Sequence, residues 1–292
     1  MVDKNLFLYD LAVVAIMKDE ERYVKEWLDY YLLAGADHFY IYDNDSKPEF
    51  KKVLQPYIDA DIVTYILFPG RARLMDCYND AFERFKFECR YMPIMDGDEF
   101  IFPKTKSTIT EFVDEILSAN PQAGGLVANW QLFGSNGHDK ADYSKGVLDR
   151  FTRRAPKNWT GEENQELPSE NARTKVIINP RRVAYFDDPH NARYFLGFYS
   201  VNEQGNYSVY KNLFPSINYP VTADKIALNH YFMKSYEEYT LKRNRGDVNA
   251  FKNNNRYNDN VFKRRDRNEE FDDGIIKYRD ARKAALIPTG GG

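Results

Sequence analysis

The sequence predicts an α/β fold in which a mostly parallel central sheet carries helices on both faces. Two observations predict this fold. Short apolar runs recur as strands over residues 11–16, 38–42, 61–68 and 90–96, and stretches with helical spacing separate them. A polar cluster closes each run, at the edge where ligands bind in open parallel sheets.

The first strand, residues 11–16, is a continuous apolar run of the kind that a parallel sheet buries on both faces. Large apolar residues then recur at helical spacing from Tyr23 to Tyr31, and Gly35 ends this helix. Further helices are predicted over 49–57 and 72–88, after the second and third strands. The first hundred residues therefore contain three consecutive strand–helix units.

The middle of the chain is less regular. A helix over 106–119 leads into a strand over 124–134, and the last strand is predicted over 225–232. Short β-like segments lie between them, near 146–153, 174–178, 182–186 and 197–201. Two long polar loops interrupt these segments and are candidates for binding loops.

The chain is predicted to form one domain, residues 1–246, followed by a charged helical tail, residues 247–292, because neither a linker nor a repeat is visible. Helices are expected over 235–246 and 258–285. From residue 241 to residue 283 there are 13 basic and 8 acidic residues. This excess predicts either a solvated helix face or a peripheral contact with an anionic membrane.

The composition excludes several classes of protein. Of the 292 residues, 43% are hydrophobic and 29% are charged, and the net charge is −3. This balance excludes a basic field over the whole protein of the kind that binds nucleic acid, and no nucleic-acid partner is expected. No segment reaches 18 apolar residues, so that a cytoplasmic location is expected. Cys77 and Cys89 lack the spacing of a zinc site and are too few for a disulfide scaffold.

The sharpest chemical signal is Asp96-Gly97-Asp98, directly after the fourth predicted strand. Residues i and i+2 of an extended segment project to the same side, so that both carboxylates can face one hard cation. Mn²⁺ and Mg²⁺ prefer oxygen ligands and commonly bridge protein carboxylates to substrate phosphates. The strand end makes this a candidate metal site, and the other interpretation is an acidic turn at a sheet edge.

Four long segments carry a specific pattern: KDEERYVKEWLDYYLLAGADHFYIYDNDS (18–46), MDGDEFIFP (95–103), WQLFGSNGH (130–138) and NHYFMKSYEEYTLKRNRG (229–246). In this order they resemble glycosyltransferase family 92 and its bacterial relatives. The resemblance covers roughly residues 11–246. It implies a GT-A fold, with a Rossmann-like nucleotide-sugar half over about 1–105 and an acceptor half over about 106–246.

The resemblance also implies an activity. It indicates an inverting enzyme that depends on Mn²⁺ or Mg²⁺ and transfers a hexose, with galactose favoured, from a UDP-sugar. The acceptor would be a glycan or a lipid-linked glycan in bacterial surface polysaccharide or glycoconjugate synthesis. Animal members of the family carry an N-terminal membrane anchor, which this sequence does not show, and a bacterial cytosolic enzyme is therefore expected.

The resemblance assigns donor-side roles to single residues. Asp98 and His230 would bind the metal, Asp96 would reach the ribose or the metal through water, and Lys234 would stabilise the departing diphosphate. Residues at three strand ends would contact the nucleotide: Lys18, Asp19 and Glu20, then Asp43, Asn44 and Asp45, then Arg71 and Arg73. Turn capping is an equal expectation for the second group, and a plain surface charge for either arginine.

Acceptor-side roles remain open in the sequence. An inverting mechanism needs a general base, and Asp187 and Asp188 are favoured because they close a strand, whereas other carboxylates lie in a long loop. Those carboxylates are Glu162, Glu163 and Glu166. Trp130, Phe133 and Trp159 are candidates for stacking on a sugar, with core packing as the other interpretation. His190 is expected to line the acceptor site or to bind the metal.

Two alternatives from other classes remain. A metal-dependent nucleotidyltransferase or phosphohydrolase also uses paired aspartates at a strand end. A nucleotidyltransferase usually has a glycine-rich loop after its first strand, where this sequence has Lys18 and three acidic residues. The other alternative is a non-catalytic module that binds a nucleotide or a carbohydrate.

Overall fold

A computed structural model describes residues 6–161, 167–208, 216–245 and 258–286. In these ranges the chain forms a nine-stranded sheet, two small two-stranded sheets and flanking helices. The predicted α/β class is confirmed.

The three predicted strand–helix units are confirmed at the start of the chain. They comprise β1 (Tyr9–Met17), α1 (Val24–Leu33), β2 (His38–Asp43), α2 (Pro48–Asp59), β3 (Val63–Leu67), α3 (Leu74–Phe85) and β4 (Cys89–Pro93). β1 pairs in parallel with β2 and β4, and β2 pairs in parallel with β3. Alternate residues of β1 enter different cores, since Val13 packs with residues of α1 and Val14 with residues of α3. Helices therefore cover both faces of the sheet.

The remaining elements complete the large sheet and the surface around it. They are β5 (Glu99–Pro103), α4 (Ile109–Ala119), β6 (Ala123–Leu132), α5 (Val147–Arg150), β7 (Arg153–Arg154), β8 (Thr174–Ile178), β9 (Val183–Tyr185), β10 (Arg193–Tyr194), β11 (Tyr199–Val201), β12 (Ile226–His230), α6 (Tyr236–Arg245), α7 (Asp259–Arg265), β13 (Glu270–Phe271) and α8 (Gly274–Leu286). The strand order is β3-β2-β1-β4-β8-β6-β12-β5, with β11 beside β6. Only β8 and β5 run against the other strands, so the sheet is mostly parallel, as predicted.

β5 forms one edge of the large sheet, and α1 covers that edge. Trp27 Nε1 and Tyr31 Oη both donate to the carbonyl oxygen of Glu99, and Tyr30 Oη donates to that of Ile101, each at 3.0 Å. Three side chains thus satisfy edge carbonyls that would otherwise need water or another strand. The aromatic spacing in α1 therefore fixes the segment that follows Asp96-Gly97-Asp98.

The C-terminal segment differs from the single helix predicted over 258–285. Two helices, α7 and α8, lie there, and β13 separates them by pairing with β7. α8 packs on the body of the domain, where Ile275 enters the main core and Arg282 Nε donates to the carbonyl of Leu33 at 3.0 Å. The boundary predicted at residue 246 stays a prediction, since residues 246–257 lie outside the described ranges.

None of the helices in the described ranges has the length and apolar character that a membrane-spanning segment needs.

A buried ion pair joins α5 to α6. The guanidinium of Arg150, at the end of α5, donates to both carboxylate oxygens of Glu238 in α6, at 2.8 and 2.9 Å. Burial opposes ionisation of Glu238, but hydrogen bonds from Arg150 and Ser235 outweigh it and lower the pKa to about 2. α6 is thereby held in place against the domain.

Glu238→Gln should lower the free energy of unfolding by about 3 kcal/mol near pH 7, because the Arg150 guanidinium would stay buried without its counter-charge. The pKa of Glu238 falls from its ordinary value of 4.5 to about 2 on folding. Its contribution is therefore present above the ordinary value and disappears as the pH falls towards 2. Chemical denaturation at a series of pH values measures both effects.

Glu83→Gln is the matched control, since it removes an exposed i,i+3 pair with Lys86. This change should alter the free energy of unfolding by less than about 0.5 kcal/mol. Equal stability of the Glu238→Gln variant and the parent at pH 7 would contradict the role given to the buried pair.

Candidate functional site

Asp96-Gly97-Asp98 lies in the short connection between β4 and β5. Backbone hydrogen bonds hold this connection to β1 and to the residue that follows β12. Met95 N donates to Val14 O at 3.0 Å, and Tyr231 N donates to Asp98 O at 2.9 Å. A Cβ on Gly97 would lie 3.2 Å from Cε of Met17, closer than most side-chain contacts. Glycine therefore lets the connection pass close to the end of β1.

The first aspartate is partly exposed and contacts a buried pair, Lys175 and Glu99. Lys175 Nζ, on β8, lies 2.8 Å from Asp96 Oδ1 and 3.6 Å from Glu99 Oε2. Trp130 Nε1 donates to Glu99 Oε1 at 2.8 Å. Burial raises the pKa of Glu99 to about 8, whereas the charge of Lys175 outweighs burial at Asp96 and lowers its pKa. One ammonium group thus balances two neighbouring carboxyl groups.

The second aspartate, Asp98, has two cationic or polar partners. Lys242 Nζ, on α6, lies 2.5 Å from its Oδ2, and His230 Nε2, at the end of β12, lies 3.5 Å from its Oδ1. Burial opposes ionisation of Asp98, but Lys242 and His230 outweigh it and hold the pKa well below its usual range. Burial lowers the pKa of His230, which favours the neutral imidazole.

The donor set at Asp98 fits a divalent cation. A carboxylate oxygen and an imidazole nitrogen 3.5 Å apart are ligands that Mn²⁺ accepts, and such ions often use only one or two protein groups beside water and phosphate. Nδ1 of His230 is buried and makes no hydrogen bond to the described residues. The described parts of the chain contain no group of three or more His, Cys, Asp or Glu side chains around one point. Asp98 and His230 are therefore the two candidate metal ligands, whereas Asp96 forms an ion pair with Lys175.

A cavity of about 370 Å³, which we call the α6 cavity, opens between the loop after β1 and residues 232–245. Its charged lining residues are Asp19, Glu20, Glu21, Arg22, Lys47, Lys234, Glu238, Lys242 and Arg245. Lys234 is almost fully buried there, with Nζ 4.0 Å from the centre of the Tyr23 ring. The volume lies in the range of small-molecule sites.

The loop after β1 is tied to α6 at this cavity. Arg245 Nη1 donates to Asp19 O at 3.0 Å, and Arg245 Nη2 lies 2.6 Å from Glu20 Oε1. The other carboxylate oxygen of Glu20 is buried without a hydrogen-bond partner among the described residues. Asp19 and Glu20 therefore line the cavity, whereas the half-buried Lys18 is not among its lining residues.

The predicted residues after β2 mainly close their own loop. Asp43 accepts from Ser46 N at 2.8 Å and from Tyr65 Oη at 2.5 Å. Asn44 Nδ2 donates to two carbonyls of the segment after β3, at 2.9 Å each. Asp45 is exposed with a φ of 61°. These contacts correspond to the turn-capping interpretation.

The predicted arginines after β3 lie near the surface. Arg71 is exposed. Arg73 Nη1 pairs with Asp76 at 2.7 Å, and its guanidinium carbon lies 4.2 Å from the centre of the Phe68 ring. Neither arginine lines the α6 cavity.

The aromatic candidates for sugar stacking have different environments. Phe133 is a correction, because its ring is completely buried beside Tyr231 in the main core and no sugar can reach it. Trp130 is 8% exposed, and its ring lies 5.1 Å from the ring of His190 and 4.2 Å from that of His230. Trp159 is half-buried against a small cluster near α6.

His190, which follows Asp187 and Asp188 in the chain, lies beside the ring of Trp130. His190 Nδ1 donates to Thr174 O at 2.9 Å, which leaves the lone pair on Nε2. Burial lowers the pKa of His190 to about 3. Asp188 accepts from His190 N at 2.8 Å, and burial raises its pKa, while Asp187 pairs with Arg193 at the surface. The candidates Glu162, Glu163 and Glu166 lie outside the described residues.

Three functional candidates escaped sequence reasoning. Lys175 carried a usable signal, since it is a charged residue inside the apolar strand TKVII. Glu99 follows the paired aspartates directly, but only the structure reveals its contact with Trp130. Lys242 is one of several basic residues in α6, and nothing in the sequence separates it from its neighbours.

The family model of glycosyltransferase family 92 matches residues 13–284. The match defines the class as a glycosyltransferase domain. The chain belongs to glycosyltransferase family 92, as the four sequence segments predict.

Two curated relatives bear the same family name. The protein of Oryza sativa subsp. japonica is 25% identical over 145 residues, which are 49% of this chain and 24% of its own length. The protein of Ricinus communis is 22% identical over 172 residues, which are 59% of this chain and 30% of its own length. The chain thus spans less than a third of either relative.

Distant likenesses occur among solved structures. TarS 1–349 of S. aureus is 15% identical with a TM-score of 0.42, and the alignment covers 97% of this chain and 74% of that chain. Glucosyl-3-phosphoglycerate synthase from Mycobacterium tuberculosis, solved with Mn²⁺ and UDP, is 10% identical with a TM-score of 0.31 and covers 42% of this chain and 44% of that chain. Likenesses this weak assign no site.

Lys175→Met should lower the free energy of unfolding by about 2 kcal/mol near pH 7, since the partly exposed Asp96 would lose its counter-charge. Adding Asp96→Asn should restore more than about 1 kcal/mol of this loss, because the two changes act on one interaction. Chemical denaturation of the single and double variants measures the coupling. The surface variant Lys277→Met should behave like the parent, and strictly additive effects of the first two changes would contradict the contact of Lys175 with Asp96.

Proposed function

We propose that this chain transfers a hexose, with galactose favoured, from a UDP-sugar to a hydroxyl of a glycan or lipid-linked glycan, with metal dependence and inversion. The pairing of Asp98 with His230, close to Lys242 in the lining of the α6 cavity, carries this proposal. A nucleoside diphosphate needs both features, since its phosphates seek cations and a bridging metal ion. Membership of the family supports the reaction class.

The donor would bind along the edge formed by the ends of β1, β4 and β12. Lys234 and Lys242 offer ammonium groups to the diphosphate from the wall of the α6 cavity. Lys234 is buried, and burial lowers its pKa, so that a diphosphate would supply the counter-charge that favours its protonated form. Asp19 and Glu20 line the same cavity and are the candidates for the ribose and the base.

Asp98 and His230 would hold the metal ion, and Asp96 would contact the ribose or a metal-bound water. When bound, Mn²⁺ or Mg²⁺ supplies a Lewis acid that stabilises the charge of the departing UDP. The protein groups prepare this position in advance, since Asp98 is kept ionised and His230 is kept neutral.

Inversion requires a base that takes the proton of the acceptor hydroxyl. Of the two predicted candidates, we favour Asp188, because burial raises its pKa, whereas the salt bridge of Asp187 with Arg193 occupies an exposed carboxylate. His190 Nε2 offers a hydrogen-bond acceptor for a sugar hydroxyl, and Trp130 adjoins it. The cytoplasmic location, the bacterial glycan context and the membrane contact of the basic tail are further parts of the proposal, derived from the sequence.

Asp98→Asn should reduce the rate of Mn²⁺-dependent sugar transfer by about 10²-fold or more while preserving the fold. The amide keeps the shape of the side chain but loses the negative charge that binds the metal ion and Lys242. Titration calorimetry of UDP with Mn²⁺ and then with EDTA measures the binding step, and release of UDP from a panel of UDP-sugars measures the reaction. The surface change Asp59→Asn is the control.

Full activity of the Asp98→Asn variant would remove the basis of the proposal. Binding of another nucleotide in place of UDP would favour a nucleotidyltransferase. Binding of UDP without release of sugar to any acceptor would favour the non-catalytic module.

A further inference from the structure

A second cavity, of about 420 Å³, lies outside the site described above, and we call it the α8 cavity. α1 and residues 143–150 form its walls, and α8 reaches it from the C-terminal segment. Its basic lining residues are Arg22, Lys25, Lys145, Arg150, Arg279 and Lys283.

Glu26 fixes the wall of the α8 cavity. Its carboxylate accepts from Val147 N at 2.6 Å and from Leu148 N at 3.2 Å, which ties the segment to α1. Gly146 packs directly on the same carboxylate, so that a Cβ there would collide with Oε1. The wall of the cavity is therefore a built feature of the fold, and Arg22, Lys145 and Lys283 line it as exposed side chains.

The carboxylates that line the α8 cavity already have partners. Asp29 pairs with Lys25 at 2.6 Å, and Asp149 pairs with Arg279 at 2.9 Å. Glu26 is occupied by the backbone of α5. None of these three groups is left to balance a further cation.

Three basic residues of the lining remain without a carboxylate partner. Within the residues that the structure describes, Arg22, Lys145 and Lys283 have no carboxylate oxygen within 4.0 Å. Arg150, by contrast, is paired with Glu238. The cavity thus has an excess of positive charge that an anionic ligand would balance.

The α8 cavity adjoins the α6 cavity. Arg22, Tyr23 and Tyr143 line both. Tyr143 is 42% exposed, and the Arg22 guanidinium carbon lies 4.3 Å from the centre of its ring. The exposed ring of Tyr143 therefore lies where the two cavities meet, and aromatic faces pack well on the C–H faces of sugars.

We propose that the α8 cavity binds an anionic sugar of the acceptor, through a phosphate or carboxylate group held by Arg22, Lys145 and Lys283. The inference rests on the proposed function for its statement that the ligand is a glycan acceptor. It gives part of the basic tail a defined use, because Lys283 belongs to the segment with 13 basic and 8 acidic residues. An acidic acceptor thereby becomes the expected substrate class.

The test uses glucose 6-phosphate, glucuronate and neutral glucose as probes, with titration calorimetry at low salt. The full chain should bind the two anionic sugars and not glucose. Lys145→Gln and Lys283→Gln should each weaken this binding by about tenfold, since each removes one charge-assisted hydrogen bond. Lys140→Gln, an exposed lysine outside the cavity, is the matched control, and the affinity for UDP with Mn²⁺ should stay unchanged in all three variants.

Equal weakening by Lys140→Gln, or equal binding of glucose, would overturn the proposal. Binding of the chain to phosphatidylglycerol vesicles that depends on Lys283, without binding of either anionic sugar, would overturn it in favour of a membrane contact. If the parent protein does not bind UDP but binds the anionic sugars, and Lys145→Gln weakens that binding, the proposed function would be overturned and the anion site would stand.

Discussion

The buried ammonium group of Lys175 balances the negative charge at the connection between β4 and β5, on which the arrangement of the site depends. It lies almost without solvent contact between Asp96 and Glu99, which meet at the connection of β4 to β5. Removing it would leave Asp96 without its counter-charge beside the fully buried Glu99, a cost that is a sizeable share of the stability of a domain. The antiparallel strand β8 lies between β4 and β6 and brings this basic side chain to Asp96. Asp98 then remains available for Lys242, His230 and a ligand.

The sequence predicts the regular half of the sheet well and the buried polar contacts poorly. Apolar runs and helical spacing suffice for β1 to α3, since each element buries a face that its own residues define. The fourth predicted strand, 90–96, ends at Pro93, although Ile94 still bridges to Val14. Phe133 was a reasonable stacking candidate by residue type, but burial depends on β12 packing over it, about a hundred residues away. Lys175 and Lys242 reach the aspartates only through the tertiary fold, and no local pattern encodes such distant pairs.

Charge is distributed over the two cavities in different ways. In the α6 cavity, acidic and basic groups alternate, and Arg245 and Glu20 bind each other across it. In the α8 cavity, the acidic side chains are paired in structural contacts, and an excess of positive charge remains. Tyr23 and Tyr143 separate the two environments. This arrangement suits two ligands of different chemistry, one that brings a metal ion and one that brings only its own negative charge.

The position of Trp130 makes it a natural fluorescence probe of the candidate site. The chain has three tryptophans, and of these Trp27 is buried under the sheet edge and Trp159 lies in a peripheral cluster. The indole of Trp130 alone contacts the carboxyl group of Glu99 and adjoins the rings of both His190 and His230. Its fluorescence is therefore expected to change with the charge and hydration of the site around Asp96 and Asp98, and stopped-flow mixing would follow ligand binding there without an attached label.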